Sequence, residues 1–416
     1  MTLSASKVEI SRDKNTTLRF FQLVMMFTDI FDSLDQANSE QTPRGIVQLI
    51  SKLVDSDVQI LVSPQQNYNY SVSNITQSIH NAIENTFSTL EVDGIFQGIP
   101  EIRLVRFPRI ERDNILLHVI LGHEIGHEVA ANYLSQEQTT AEYQTRLQVT
   151  ILKVNEILSA DKTFITLDAN EQLKLQNTTL QEVLKVRTRG LQELISDVTC
   201  AYFFGPSGLF GFYDFLTVFS NLDDLPRANS YYPPPRYRLR YLVQVLTKND
   251  LLDELYHLEA YGVPEQIANS VIAFVEHIKT IVGDNSDLAA IKANPYMDLV
   301  YDWIEELEES IGEFVRNSIG TKLFEKGSVQ EKMPESIARL CLNIPANELG
   351  KYPNMVASDW GTAILAGWIV RIALKFSEAP IPELEGLNED LLRNLTLTAL
   401  EYCTLVEKYT EEVKTT

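Results

Sequence analysis

Residues 123–127 read His-Glu-Ile-Gly-His, inside an apolar stretch patterned for a helix from near Asn114 onward. A helix carries positions i and i+4 on one face, so His123 and His127 can offer two imidazoles to a single metal ion, with Glu124 projecting beside them. Polar groups set into so apolar a segment also constrain the fold. They must find partners, because an unpaired polar group away from water costs free energy. The question put to the rest of the chain is where a third ligand lies.

The histidines narrow the answer. Besides the motif pair there are His80, His118, His257 and His277. Position 133 is Tyr133, and Ala130 stands where a turn glycine would be needed, which excludes the class whose third histidine follows the second by six residues. His118 precedes His123 by five positions, about 500° around a helix, and is read as a core histidine. The other three sit singly on helix-patterned segments. A carboxylate is the alternative. Gly190-Leu-Gln-Glu-Leu-Ile-Ser-Asp197 carries Glu193 and Asp197 at i, i+4 on an otherwise apolar segment. Two acids on a buried face need cations or a metal. Glu193 could complete a His2Glu site with the fourth position left for water, and Asp197 could accept a hydrogen bond from a ligand histidine and fix its tautomer. The competing arrangement turns both acids to solvent and Gln192 and Ser196 inward.

A further stretch, Tyr-Tyr-Pro-Pro-Pro-Arg-Tyr-Arg-Leu at residues 231–239, forms a rigid turn ahead of a helix bearing Arg236, Arg238 and Arg240. Such a turn can hold Tyr232 over a cleft as a hydrogen-bond donor to a developing oxyanion, or can simply start a helix.

Composition excludes several classes. The formal net charge of −22 opposes a nucleic-acid surface, which needs clustered Lys and Arg, and opposes docking to anionic lipid. Three separated cysteines, Cys200, Cys341 and Cys403, give neither a disulfide framework nor a thiolate metal site. The first fifteen residues lack the apolar run of a signal peptide, and the best apolar segment, residues 363–374, is short for a membrane span and carries Arg371. The expectation is a cytoplasmic protein with no nucleic-acid or membrane partner.

Periodicity sketches the organisation. Residues 17–34 and 45–54 read as helices, 57–63 and 68–72 as strands, and 73–90 as a helix with Ile75, Ile79, Ile83 and Phe87 four apart. Residues 101–107, Glu-Ile-Arg-Leu-Val-Arg-Phe, alternate as a half-solvated strand. Ser135-Gln-Glu-Gln138 resembles a capping box that opens a new helix. Leu147, Ile151, Val154 and Leu158 then mark a helical hairpin, which turns at residues 159–170 and returns over 171–187. Residues 135–189 are read as an insertion, residues 1–245 as one domain containing it, and 246–416 as an all-helical domain.

His123-Glu124-x-x-His127 followed by Glu193-x-x-x-Asp197 resembles the gluzincin zinc metallopeptidases, whose third ligand is a helix glutamate. The order of motifs is most similar to the CAAX-prenyl-protease and heat-shock-peptidase family, with Tyr232-Pro-Pro-Pro-Arg-Tyr-Arg238-Leu239 in the place of its His-Pro-Pro turn. Ser196 stands where that family has alanine and Tyr232 where it has histidine. The family's membrane spans are missing, and the spacer between the ligand helices is long. The resemblance covers roughly residues 100–134 and 190–242.

The fold expected is α+β and predominantly helical: a minigluzincin-like core of a small sheet and active-site helices, a helical-hairpin insertion, and an all-helical C-terminal domain. The activity expected is zinc-dependent endopeptidase, with one zinc per chain on His123, His127 and Glu193. Glu124 would act as general base, Asp197 would orient a ligand, and Tyr232 would face the oxyanion. A protein or peptide substrate would add as a strand along an edge formed by Arg103, Leu104 and Val105. Two rival readings are a catalytically silent interaction protein of the same fold and a zinc hydrolase of a non-peptide amide.

Overall fold

The computed structural model describes residues 14–37, 42–55, 57–86, 97–219, 222, 232–346, 348–349, 356–357 and 359–415. The architecture is predominantly helical α+β with a small mixed sheet. Two compact units divide the chain, Met1–Arg112 and Asp113–Thr416.

The first unit holds helices α1 (Lys14–Gln36), α2 (Arg44–Leu53) and α3 (Ile75–Thr86) and strands β1 (Gln59–Gln65), β2 (Ser71–Asn74) and β3 (Ile102–Pro108). Helix α2 buries Ile46, Leu49, Ile50 and Leu53, the face its periodicity defines. Asn74 starts α3 by accepting the Gln77 amide at 2.8 Å. Phe87, the last of the apolar positions spaced along α3, lies outside the described residues.

Strand β3 corrects one expectation. The sheet order is β1-β3-β2, with β1 parallel to β3 and β2 antiparallel to it, so that both Val62 and Val72 pair with Val105. Arg103, Leu104 and Val105 therefore lie in a central strand, buried, with both hydrogen-bonding edges engaged. A peptide cannot add there. The alternation of residues 101–107 reports a strand but carries no information on how many neighbours it has.

In the second unit a 3-10 turn (Leu117–Ile120) leads into α4 (Leu121–Glu137), the helix of the His-Glu-Ile-Gly-His motif. The expected capping box at Ser135–Gln138 does not form, because α4 runs through those positions. The next helix, α5 (Ala141–Ser159), is capped instead by Thr140, whose hydroxyl accepts the Tyr143 amide. After the short α6 (Lys162–Ile165) comes α7 (Ala169–Phe204), opened by a capping box between Asp168 and Glu171. The returning arm of the hairpin and the Glu193–Asp197 segment are thus one unbroken 36-residue helix. The hairpin is tied inward: Arg187 is buried, pairs with Glu137 of α4 and lies 3.8 Å over the Trp303 ring.

Helices α8 (Pro206–Phe219), α9 (Pro235–Lys248), α10 (Glu265–Gly283), α11 (Ser286–Lys292), α12 (Pro295–Glu305), α13 (Glu308–Ile319), α14 (Gly327–Cys341), α15 (Trp360–Phe376) and α16 (Glu389–Thr415) follow in the same unit. A two-residue pairing of Glu348–Leu349 with Val356–Ala357 makes its C-terminal part not purely helical. The boundary expected at residue 245 falls inside α9. Helix α15 is buried all round from Gly361 to Ala373, and Asp214 meets Arg371 at 2.9 Å. The apolar segment around residue 363 is thus a core helix. No described helix is long and apolar enough to cross a membrane. Trp368 of α15 donates its ring N–H to the Leu116 carbonyl at 3.1 Å, which anchors the approach to α4.

Helices α4 and α7 cross at close range through two glycines. A Cβ on Gly126 would lie 2.6 Å from the Ser196 Cα and 2.9 Å from its carbonyl oxygen, and one on Gly122 would meet the Phe204 ring at 2.8 Å. At Gly126 the obstacle is backbone, so the helices themselves must separate. Gly126→Ala is expected to cost about 1–3 kcal/mol in unfolding free energy, as overpacking does. Denaturant titration of the full chain checks this, and an unchanged midpoint would contradict so close a crossing.

Candidate metal centre

The crossing of α4 and α7 decides the site. His123 and His127 on α4 face Glu193 on α7, and one ligand atom from each lies within 4.8 Å of the other two. His123 Nε2 stands 3.5 Å from Glu193 Oε2. Two ligands of one tetrahedral divalent ion, each bonded at about 2.1 Å, lie about 3.4 Å apart, so this pair is at coordination spacing. Among the described residues this is the one group of three such side chains that could hold a metal ion. His80, His257 and His277 are not part of it, and His118 is fully buried in the preceding 3-10 turn.

Both imidazole rings are fixed from behind. His123 Nδ1 lies 2.8 Å from Asp197 Oδ1. An ionised carboxylate only accepts, so Nδ1 carries the proton and Nε2 is free toward Glu193. His127 Nδ1 lies 3.1 Å from the Ser196 hydroxyl. Glu193, Ser196 and Asp197 are all buried. The choice between the acids and Ser196 as the inward residues therefore does not arise: α7 is enclosed here on more than one side.

Arg238 of α9 is the residue that sequence reasoning left without a role. Its Nε and Nη2 donate to the two oxygens of Asp197 at 2.8 Å each, and Nη2 also reaches Glu193 Oε2 at 3.0 Å. Its guanidinium lies 4.6 Å over the Phe212 ring of α8, which also flanks His123 at 5.8 Å between ring centres. The neighbouring arginines turn elsewhere, Arg236 to Asp284 and Arg240 to Asp287. Alternate residues on a helix face nearly opposite ways, so the Arg-x-Arg-x-Arg pattern could not say which one meets the site. Tyr232 stands in the loop ahead of α9 and is 53 % exposed.

Electrostatics follow from burial and these contacts. Burial opposes ionisation of Asp197, yet the charge and hydrogen bonds of Arg238, with that of His123, hold its carboxyl below the ordinary value. Burial favours a neutral His123, but the Asp197 bond and charge outweigh it and raise its pKa. His127 is lowered to about 4, first by burial and then by His123, and so is neutral at neutral pH. Glu124 is pushed up to about 7 by burial, with the charge of Glu193 adding and His123 and Arg238 opposing. Arg238 is one buried cation set against Asp197 and Glu193, with Glu124 beside them. Two imidazoles and a carboxylate are a donor set that suits a divalent cation, so the residues fit a metal in donor type. Comparison of the chain with protein-family models, curated proteins and solved structures finds no match.

Proposed function

We propose that this chain is a zinc-dependent endopeptidase with a gluzincin-type centre, as its motifs suggest. The observation that carries the reading is the convergence of His123, His127 and Glu193, with the Nδ1 of each imidazole already engaged by a hydrogen bond. Two imidazoles and one carboxylate are the donor set of catalytic zinc sites that keep a position open. Bound there, zinc supplies Lewis acidity and makes a water nucleophilic at neutral pH. Glu124, adjacent to His123 on α4, takes the proton of the attacking water and returns it to the departing amine. Asp197 and Arg238 hold His123 and Glu193 in place, and the Phe212 ring walls His123 from water. Tyr232, in the turn ahead of α9, is the donor we assign to the oxyanion.

The direct test is metal content. Purified full-length protein is expected to carry one zinc per chain, and His123→Ala and Glu193→Ala are each expected to weaken zinc binding by more than the roughly 10- to 100-fold typical of losing an outer partner. Zinc retained at unchanged affinity in Glu193→Ala would remove that residue from the ligand set.

A further inference from the structure

We infer that Ser196 is a positioning residue of the metal centre: its hydroxyl holds His127 as the Nδ1–H tautomer and leaves Nε2 as the ring nitrogen open to a cation. The inference deepens the zinc-centre reading above and rests on it.

The hydrogen-bond inventory of the hydroxyl carries the argument. Serine has one O–H to donate and two lone pairs with which to accept. Ser196 Oγ lies 2.7 Å from the Gln192 carbonyl, which can only accept, so its proton is committed there. The second contact, 3.1 Å to His127 Nδ1, must then run the other way, with Nδ1–H donating to Oγ. An unprotonated Nδ1 would set two lone pairs against each other at a residue that is 0 % exposed, where no water can intervene. The hydroxyl is also held in place. Its Cα is the atom that a Cβ on Gly126, the residue next to His127, would meet at 2.6 Å. The backbone on both sides of the contact is therefore close-packed.

Two further observations favour orientation over filling. Serine in a helix interior is a weaker helix former than alanine, and alanine needs no more room at this position. A charge argument explains why a hydroxyl serves here and not a second carboxylate. Asp197 orients His123 and needs Arg238 as its partner. Another acid behind His127 would add a buried charge to a cluster in which Arg238 is already shared by Asp197 and Glu193. A neutral acceptor orients the ring without that cost.

The experiment uses full-length protein, wild type and Ser196→Ala. Histidine-selective 15N NMR of the metal-free protein reads the His127 tautomer, and competition with a chromogenic chelator reads zinc affinity. The wild type is expected to show Nδ1–H at His127. Ser196→Ala is expected to move it toward Nε2–H and to weaken zinc binding about 10- to 100-fold, as loss of such an outer partner does. A residue that merely filled space would change melting and leave the tautomer where it was. Wild-type protein with Nε2–H at His127 overturns the inference, as does a Ser196→Ala protein with unchanged tautomer or unchanged zinc affinity. The wild-type tautomer is informative even if the variant does not fold. Wild type that takes up no zinc yet shows Nδ1–H sinks the zinc-centre reading itself, a result distinct from failure of the tautomer assignment.

Discussion

Glu124→Gln is expected to bind one zinc with near wild-type affinity and to lose about 10²- to 10⁴-fold in peptide turnover, the usual contribution of a positioned general base. Glutamine keeps the size and planarity of the side chain but cannot take a proton. In the metal-free chain Glu124 is pushed up to about 7, chiefly by burial. The measurement is a comparison of newly generated protein termini in cells expressing wild type or the variant, with purified protein assayed on a peptide library. Turnover surviving in Glu124→Gln would remove the mechanism proposed for this site. Termini identical in the two cell lines, with no cleavage in vitro, would favour the silent interaction protein. Cleavage of small amides without cleavage of peptides would favour the third reading.

Arg238→Met is expected to destabilise the full chain by about 3–5 kcal/mol, the range for removing one partner of a buried ion pair. Asp197 is 0 % exposed and takes both of its Arg238 hydrogen bonds at 2.8 Å, so its charge would be left with only the His123 ring. Methionine keeps much of the volume over Phe212, which separates the charge effect from a cavity. Urea titration of the metal-free protein reads the loss. The double variant Arg238→Met with Asp197→Leu is expected to recover much of it, because the buried charge goes with its partner, and the coupling follows from a double-mutant cycle. An unfolding midpoint in Arg238→Met equal to wild type would mean that the pair contributes no stability. Zinc affinity is expected to fall alongside, since Arg238 also holds Glu193.

Much of the local structure was legible because it is written in short-range pattern. The period of the apolar residues placed α2 and α3, alternation placed β3, and short strand-like runs placed β1 and β2, each to within two or three positions. Elimination among six histidines, with the i, i+4 acids at Glu193 and Asp197, led to the group that the structure brings together. Errors arose where the outcome depends on what a segment meets. Ser135-Gln-Glu-Gln138 has cap-like chemistry, but α4 continues through it while Glu137, at its end, pairs with Arg187 of α7. The join between residues 187 and 190 looked like a break, yet Gly190 sits within α7. Nothing in the residues of β3 shows whether one or two strands lie beside it, and the structure puts it between two.

The sequence by itself determined which groups could serve a metal centre, since donor chemistry and helical spacing belong to the residues: two imidazoles and a carboxylate on one face, and two carboxylates one turn apart on another. Only the tertiary structure decided how those faces meet. Gly122 and Gly126 bring α4 onto α7, α9 delivers Arg238 from 41 positions beyond Asp197, and the enclosed crossing turns Ser196 from a spectator into the partner of His127. The physical reason is range. Spacing along a helix acts over one or two turns, whereas burial, charge balance and the direction of a hydrogen bond are properties of whatever the rest of the chain packs against it.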